Sequence, residues 1–113
     1  MSNCLKHNIL FLQFLEESKD VNQIQAILKT ATPSQVRALS EICHHLLGGY
    51  CKLDKESRGI LRKKVHILKK VASTKKPYAA KKKFISQKGG GFIKVVPVIL
   101  KALLPAILES LAL

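Results

Sequence analysis

The chain has no tryptophan, and aromatic residues make up only 5% of it. Proteins that bind single-stranded nucleic acids stack bases on aromatic side chains, so this shortage argues against such a surface. Cysteine is also scarce, with Cys4, Cys43 and Cys51 as the full set. An odd cysteine number without a secretory leader indicates a reducing compartment and argues against a fold held by disulfides.

Acidic residues and catalytic motifs are equally scarce. The chain has seven Asp and Glu against twenty Lys and Arg. It contains no phosphate-binding loop and no nucleophile elbow. Its histidines and cysteines also lack the CxxC and HxxxH spacings of zinc sites. We therefore predict that the protein is not an enzyme, and that it holds no metal ion and no cofactor.

Positive charge is abundant, and it is very unevenly distributed. The net charge is +13, yet residues 1–51 are neutral, with four basic and four acidic side chains. Residues 52–94 carry fifteen basic and two acidic side chains, and residues 95–113 are neutral again. The excess charge of the middle segment predicts an anionic partner, which is a nucleic acid, an anionic membrane or an acidic protein.

Residues 1–51 have the three- and four-residue apolar spacing of helices, and we predict a neutral helical interaction module there. The stretch LKHNILFLQFLEES is predicted as one helix, and Asp20 as the N-cap of the next. TPSQ, at residues 32–35, has the pattern of a capping box with proline at the first helical position. The helix that it opens is predicted to end at Gly48 and Gly49.

Residues 52–88 are predicted as basic helices that bind nucleic acid. The stretch DKESRGILRKKVHILKKVA is predicted as one amphipathic helix capped by Asp54, with basic side chains on one face and apolar side chains on the other. A second short helix is predicted after Pro77. The predicted DNA contacts are Arg58, Arg62, Lys63, Lys69, Lys70, Lys75, Lys76, Lys81, Lys82, Lys83 and Lys88.

This composition favours contacts with phosphates over contacts with bases. Each phosphate that a basic side chain neutralises releases counterions, which drives binding at any sequence. Lysine dominates the segment, and it binds phosphate as a point charge without the bidentate geometry of arginine. We therefore expect nonspecific binding to double-stranded DNA.

The last segment, residues 89–113, begins with three glycines that predict a flexible hinge, followed by an apolar helix. Residues 92–113 would span about 33 Å as one helix, although Pro97 and Pro105 are predicted to interrupt it. Three roles stay open: insertion in a membrane, docking on another protein, and packing on residues 1–51 as part of the core. The predicted contact residues are Phe92, Ile93, Val96, Ile99, Leu100, Leu103, Leu104, Ile107 and Leu108.

The order of polycation, glycine joint and apolar tail in KKKFISQKGGGFIKVVPVILKALLPAI resembles the adenovirus core protein X (mu) family. The stretches TATPSQVRALSEICHHLLGG and LDKESRGILRKKVHILKKVAS are similar to longer versions from Maverick/Polinton-type DNA viruses, the adintoviruses. The resemblance covers roughly residues 30–108. One departure is that the adenovirus protein is rich in arginine, whereas this chain uses lysine.

The resemblance implies an all-α virion core protein that condenses viral double-stranded DNA, located in the virion core and in the host nucleus during assembly. It also implies cleavage by a viral cysteine protease between Gly49 and Tyr50 or between Gly90 and Gly91. The apolar tail would link the genome to the capsid or act on a membrane, and self-association is a further expectation. The alternative function is that of a cationic amphipathic protein that perturbs anionic bilayers.

Overall fold

The computed structural model describes residues 3–18, 20–48, 53–87 and 91–111, which form eight helices and no strand. The prediction of an all-α fold is thereby confirmed for these residues. The helices are α1 (Asn3–His7), α2 (Ile9–Glu17), α3 (Val21–Lys29), α4 (Pro33–Leu47), α5 (Lys55–Lys63), α6 (Val65–Ala72), α7 (Tyr78–Ile85) and α8 (Phe92–Leu111).

Three helices begin at the N-caps that the sequence predicts. The side chain of Asp20 accepts a hydrogen bond from the backbone N–H of Asn22 at 2.9 Å, at the start of α3. Asp54 accepts one from the N–H of Ser57 at 3.1 Å, at the start of α5. At α4, Thr32 and Gln35 form a reciprocal capping box. These caps satisfy N–H groups that have no partner inside the helix.

The first predicted helix is instead two helices, because the chain leaves helical geometry at Asn8. This side chain is buried, and its amide donates hydrogen bonds to the Cys4 carbonyl at 2.7 Å and to the Ser34 hydroxyl at 2.9 Å. The second bond joins the junction of α1 and α2 to the first turn of α4. The prediction of one helix was wrong because this tertiary contact has no local sequence signal.

The basic amphipathic helix is also divided in two. Lys64 has φ −113° and ψ 17°, and it ends α5 and precedes α6. The two halves pack on different partners, since α5 contacts α8 whereas α6 lies along α4. The prediction of one continuous helix was wrong because it took no account of these two separate packing surfaces.

Helix α8 lies at the centre of the fold and runs unbroken through Pro97 and Pro105, which corrects the prediction that the prolines interrupt it. It contacts α2, α3, α5 and α7. Its polar residues Lys94, Lys101 and Glu109 are exposed, as their seven- and eight-residue spacing indicates. Burial of the opposite face offsets the cost of a proline inside a helix, which is about 3 kcal/mol.

The hydrophobic core draws on all three segments of the sequence. Leu12, Leu28 and Ile42 come from the first segment, Leu68 and Ile85 from the second, and the apolar face of α8 from the third. The radius of gyration is 12.9 Å, close to the value of about 13 Å for a packed chain of this length. The boundaries at residues 51 and 89 thus mark changes of composition, and helices on either side of each boundary share one core.

Candidate nucleic-acid interface

The basic side chains come from a stretch of sequence that contains no carboxylate. Between Glu56 and Glu109 the chain has no Asp and no Glu. Local ion pairs of the i, i+4 kind are therefore excluded within α6 and α7. The positive charges of α6 and α7 are therefore not compensated by carboxylates of the same helices.

The three predicted DNA contacts on α5 are exposed. Arg58, Arg62 and Lys63 point to solvent, whereas Leu61 is buried in the core. The guanidinium of Arg58 donates a long hydrogen bond of 3.4 Å to the carbonyl of Leu53. The amphipathic spacing of α5 thus leaves its cations free to meet an anion.

Most of the remaining predicted contacts lie on α6, on α7 and on the connection between these helices. Lys69 and Lys70 of α6, Lys75 and Lys76 of the connection, and Lys83 of α7 are exposed, and Lys82 is half-buried. We call these six residues the lysine patch. The packing of α6 against α7 holds the members of the patch on neighbouring elements.

Two aromatic rings organise the lysine patch. The ammonium groups of Lys70 and Lys76 lie 5.3 and 5.5 Å from the centre of the Phe84 ring. The Lys82 ammonium lies 5.5 Å from the centre of the Tyr78 ring. These are cation–π distances, and each ring attracts a positive charge to its face. The rings therefore position the chain's own cations, which suits phosphate contacts better than base stacking.

Lys81 differs from the other predicted DNA contacts because it is buried, with 9% of its surface exposed. Its amine donates a hydrogen bond of 3.0 Å to the hydroxyl of Ser40 on α4. It therefore does not belong to the exposed patch. Lys88, the last predicted contact, lies outside the described residues.

The predicted tail contacts are mostly buried within the fold. Phe92, Ile93 and Val96 lie in the core, with Ile99, Leu100, Leu103, Leu104 and Ile107, whereas Leu108 is 38% exposed. Of the three open roles, the structure displays packing on residues 1–51, since α8 contacts α2 and α3. The buried residues of this set could contact a capsid or a membrane only if α8 left the core. Such contact stays a prediction. In the described part of the chain, no helix combines the length and the apolarity needed to cross a membrane.

Three of the four residues at the predicted cleavage sites, Gly49, Tyr50 and Gly90, lie outside the described residues. The fourth, Gly91, has a φ of 84° and directly precedes α8. A Cβ atom at this position would lie 2.7 Å from Cδ1 of Ile67. Gly91 is thus needed for both its backbone conformation and its close approach to α6.

Cys43 is buried in α4, and burial raises the pKa of its thiol to about 12. The thiol is therefore protonated at neutral pH and is neither nucleophilic nor ready to bind a metal ion. Within residues 3–18, 20–48, 53–87 and 91–111, no three His, Cys, Asp or Glu side chains gather as metal ligands.

Comparisons of the chain with protein-family models, with curated proteins and with solved structures found no significant match.

Proposed function

We propose that this protein binds double-stranded DNA without sequence preference, through the lysine patch and the exposed cations of α5. The observation that carries the proposal is the exposure of Lys69, Lys70, Lys75, Lys76 and Lys83 on adjoining elements, in a stretch of sequence without carboxylates. Such a surface gains affinity from counterion release, which does not depend on base sequence.

The resemblance to adenovirus core protein X supports a more specific role, in which the protein condenses a viral genome in the virion core. The role includes residence in the host nucleus during assembly and contact of neighbouring copies along the DNA. In this proposal, α8 stabilises the fold that presents the lysine patch. A link to the capsid, or an action on a membrane, would follow only after α8 is released.

The test is the affinity for a random duplex DNA across a series of salt concentrations. If a third of the basic residues contact phosphate, the log–log slope has a magnitude of about five or more. The variant Lys69→Glu with Lys70→Glu should lower that slope by about two, equally for different sequences. A shallow slope with weak binding would overturn the proposal.

The matched control reverses two exposed lysines away from the patch, Lys29→Glu with Lys94→Glu. Both double variants change the net charge equally. A difference between their losses of DNA affinity therefore shows that the position of the lysines matters. Equal losses of affinity in the two variants would assign binding to net charge alone. Leakage of dye from anionic vesicles, measured in parallel, tests the membrane alternative.

A further inference from the structure

A groove of about 550 Å³ lies between α4 and α7, within the size range of small-molecule pockets. Helix α4 supplies one wall, and the end of α6, the following connection and α7 supply the other. The polar lining includes Arg37, Ser40, Glu41, Lys76 and Lys81. Val36 and Ala72 add apolar surface, so the groove suits a polar group attached to an organic body.

A buried cation lies in this groove. Lys81 and Ser40 are each 9% exposed, and the Lys81 amine donates to the Ser40 hydroxyl at 3.0 Å. An ammonium group has three hydrogens to donate, and the serine hydroxyl carries no charge. A buried charge is costly unless an opposite charge and further hydrogen bonds compensate it. The hydrogen bond to Ser40 therefore supplies no negative charge to compensate the Lys81 ammonium.

The groups that line the groove around Lys81 carry more positive than negative charge. Burial lowers the pKa of the Lys81 amine, and the nearby Cys43 raises it. The Cys43 thiol is protonated at neutral pH, since burial raises its pKa to about 12. Among the other charged residues of the groove, Arg37 and Lys76 are cations. Glu41 is the one carboxylate of the lining, against the basic side chains of Arg37, Lys76 and Lys81.

We propose that this groove binds a phosphate group, with the Lys81 ammonium at its base and the exposed cations Arg37 and Lys76 at its rim. A doubly charged phosphate fits three cations better than a carboxylate does, and it accepts several charge-assisted hydrogen bonds. The phosphate belongs either to a free nucleotide or to the DNA backbone. The groove shares Lys76 with the lysine patch, but binding of a free nucleotide there does not require the patch to bind DNA.

The experiment is calorimetric titration of the full chain with inorganic phosphate and with adenosine 5′-monophosphate, using chloride at equal ionic strength as the blank. Lys81→Met keeps the apolar stem of the lysine and removes its charge. Arg37→Gln changes an exposed side chain and leaves the core intact. Each variant should weaken binding about tenfold or more, because a charged hydrogen-bond donor is lost. Lys94→Gln, on the exposed face of α8, should change the affinity less than twofold.

The outcomes separate the two phosphate sources. Binding of a free probe that Arg37→Gln weakens and Lys94→Gln does not would support a site for free phosphate, and tighter binding of adenosine 5′-monophosphate than of inorganic phosphate would identify a nucleotide. If no free probe binds, a larger loss of duplex DNA affinity in Arg37→Gln than in Lys94→Gln would assign the groove to a backbone phosphate. If neither difference appears, the proposal is wrong. Loss of DNA binding with nucleotide binding intact would instead refute the proposed function alone.

Discussion

The hydroxyl of Tyr78, the first residue of α7, donates a hydrogen bond to the backbone carbonyl of Ala31. The other end of the same helix is also held, since the side chain of Gln25 donates to the carbonyl of Ser86 at 3.0 Å. Together with the bond from Lys81 to Ser40, these hydrogen bonds join the lysine-rich helix α7 to the neutral N-terminal segment. Helix α7, which carries part of the lysine patch, is thus bonded to this segment at both of its ends.

Replacing Tyr78 with Phe removes the hydroxyl and keeps the ring that lies beneath Lys82. We expect the free energy of unfolding to fall by about 1 kcal/mol, because the Ala31 carbonyl loses its partner. Urea denaturation followed by circular dichroism measures this change. An unchanged midpoint would show that water replaces the hydroxyl at no cost. The ring contact with Lys82 should survive, so the salt dependence of DNA binding should match the parent protein.

Gly91→Ala should destabilise the protein by more than about 1 kcal/mol, because alanine is strained at positive φ. Its Cβ atom would also lie 2.7 Å from the Ile67 side chain. The matched control is Gly59→Ala in α5, where the added Cβ would meet no atom within 4 Å apart from its chain neighbours and the backbone of its own helix. That change should stabilise the protein by about 0.4–1 kcal/mol. We therefore predict changes in stability of opposite sign for the two variants. Thermal melts in which both midpoints shift in the same direction would contradict this prediction.

Leu100→Ala tests the role of α8 as the centre of the core. Leu100 has no exposed surface, and truncation of a buried leucine costs about 2–5 kcal/mol. Leu108, on the same helix, is 38% exposed, and Leu108→Ala should cost only about 1 kcal/mol, because less apolar surface is lost from the core. Denaturation curves of both variants provide the comparison. If both variants are as stable as the parent protein, α8 does not pack as described.

The helix starts could be predicted because each depends on neighbouring residues. Asp20, Thr32 and Asp54 cap through N–H groups two or three positions along the chain, and the short sequence patterns contain that information. The break at Asn8 could not be predicted, since it depends on Ser34 in another helix. The unbroken α8 was missed for a similar reason, because the burial of its apolar face opposes the local effect of proline.

The candidate site also has features that local sequence predicts and features that depend on tertiary contacts. Periodicity predicted the exposed cations of α5 and α6, and the pairing of Lys82 with Tyr78 follows the four-residue spacing of a helix. The groove could not be predicted, because Ser40 and Lys81 are 41 residues apart in sequence. Composition marked Lys81 as one more surface lysine, and only the tertiary fold distinguishes it from its neighbours Lys82 and Lys83.

The central position of α8 has a consequence for how the chain matures. The ribosome makes this helix after every helix that it touches, so α2, α3, α5 and α7 emerge without the partner that covers their apolar faces. Closure of the core waits until residues near Ile107 have left the ribosome. During that interval the polycationic stretch is already synthesised. Nascent chains of this protein therefore expose an open core while they already carry most of their positive charge, and repulsion between like-charged chains opposes their aggregation until α8 is complete.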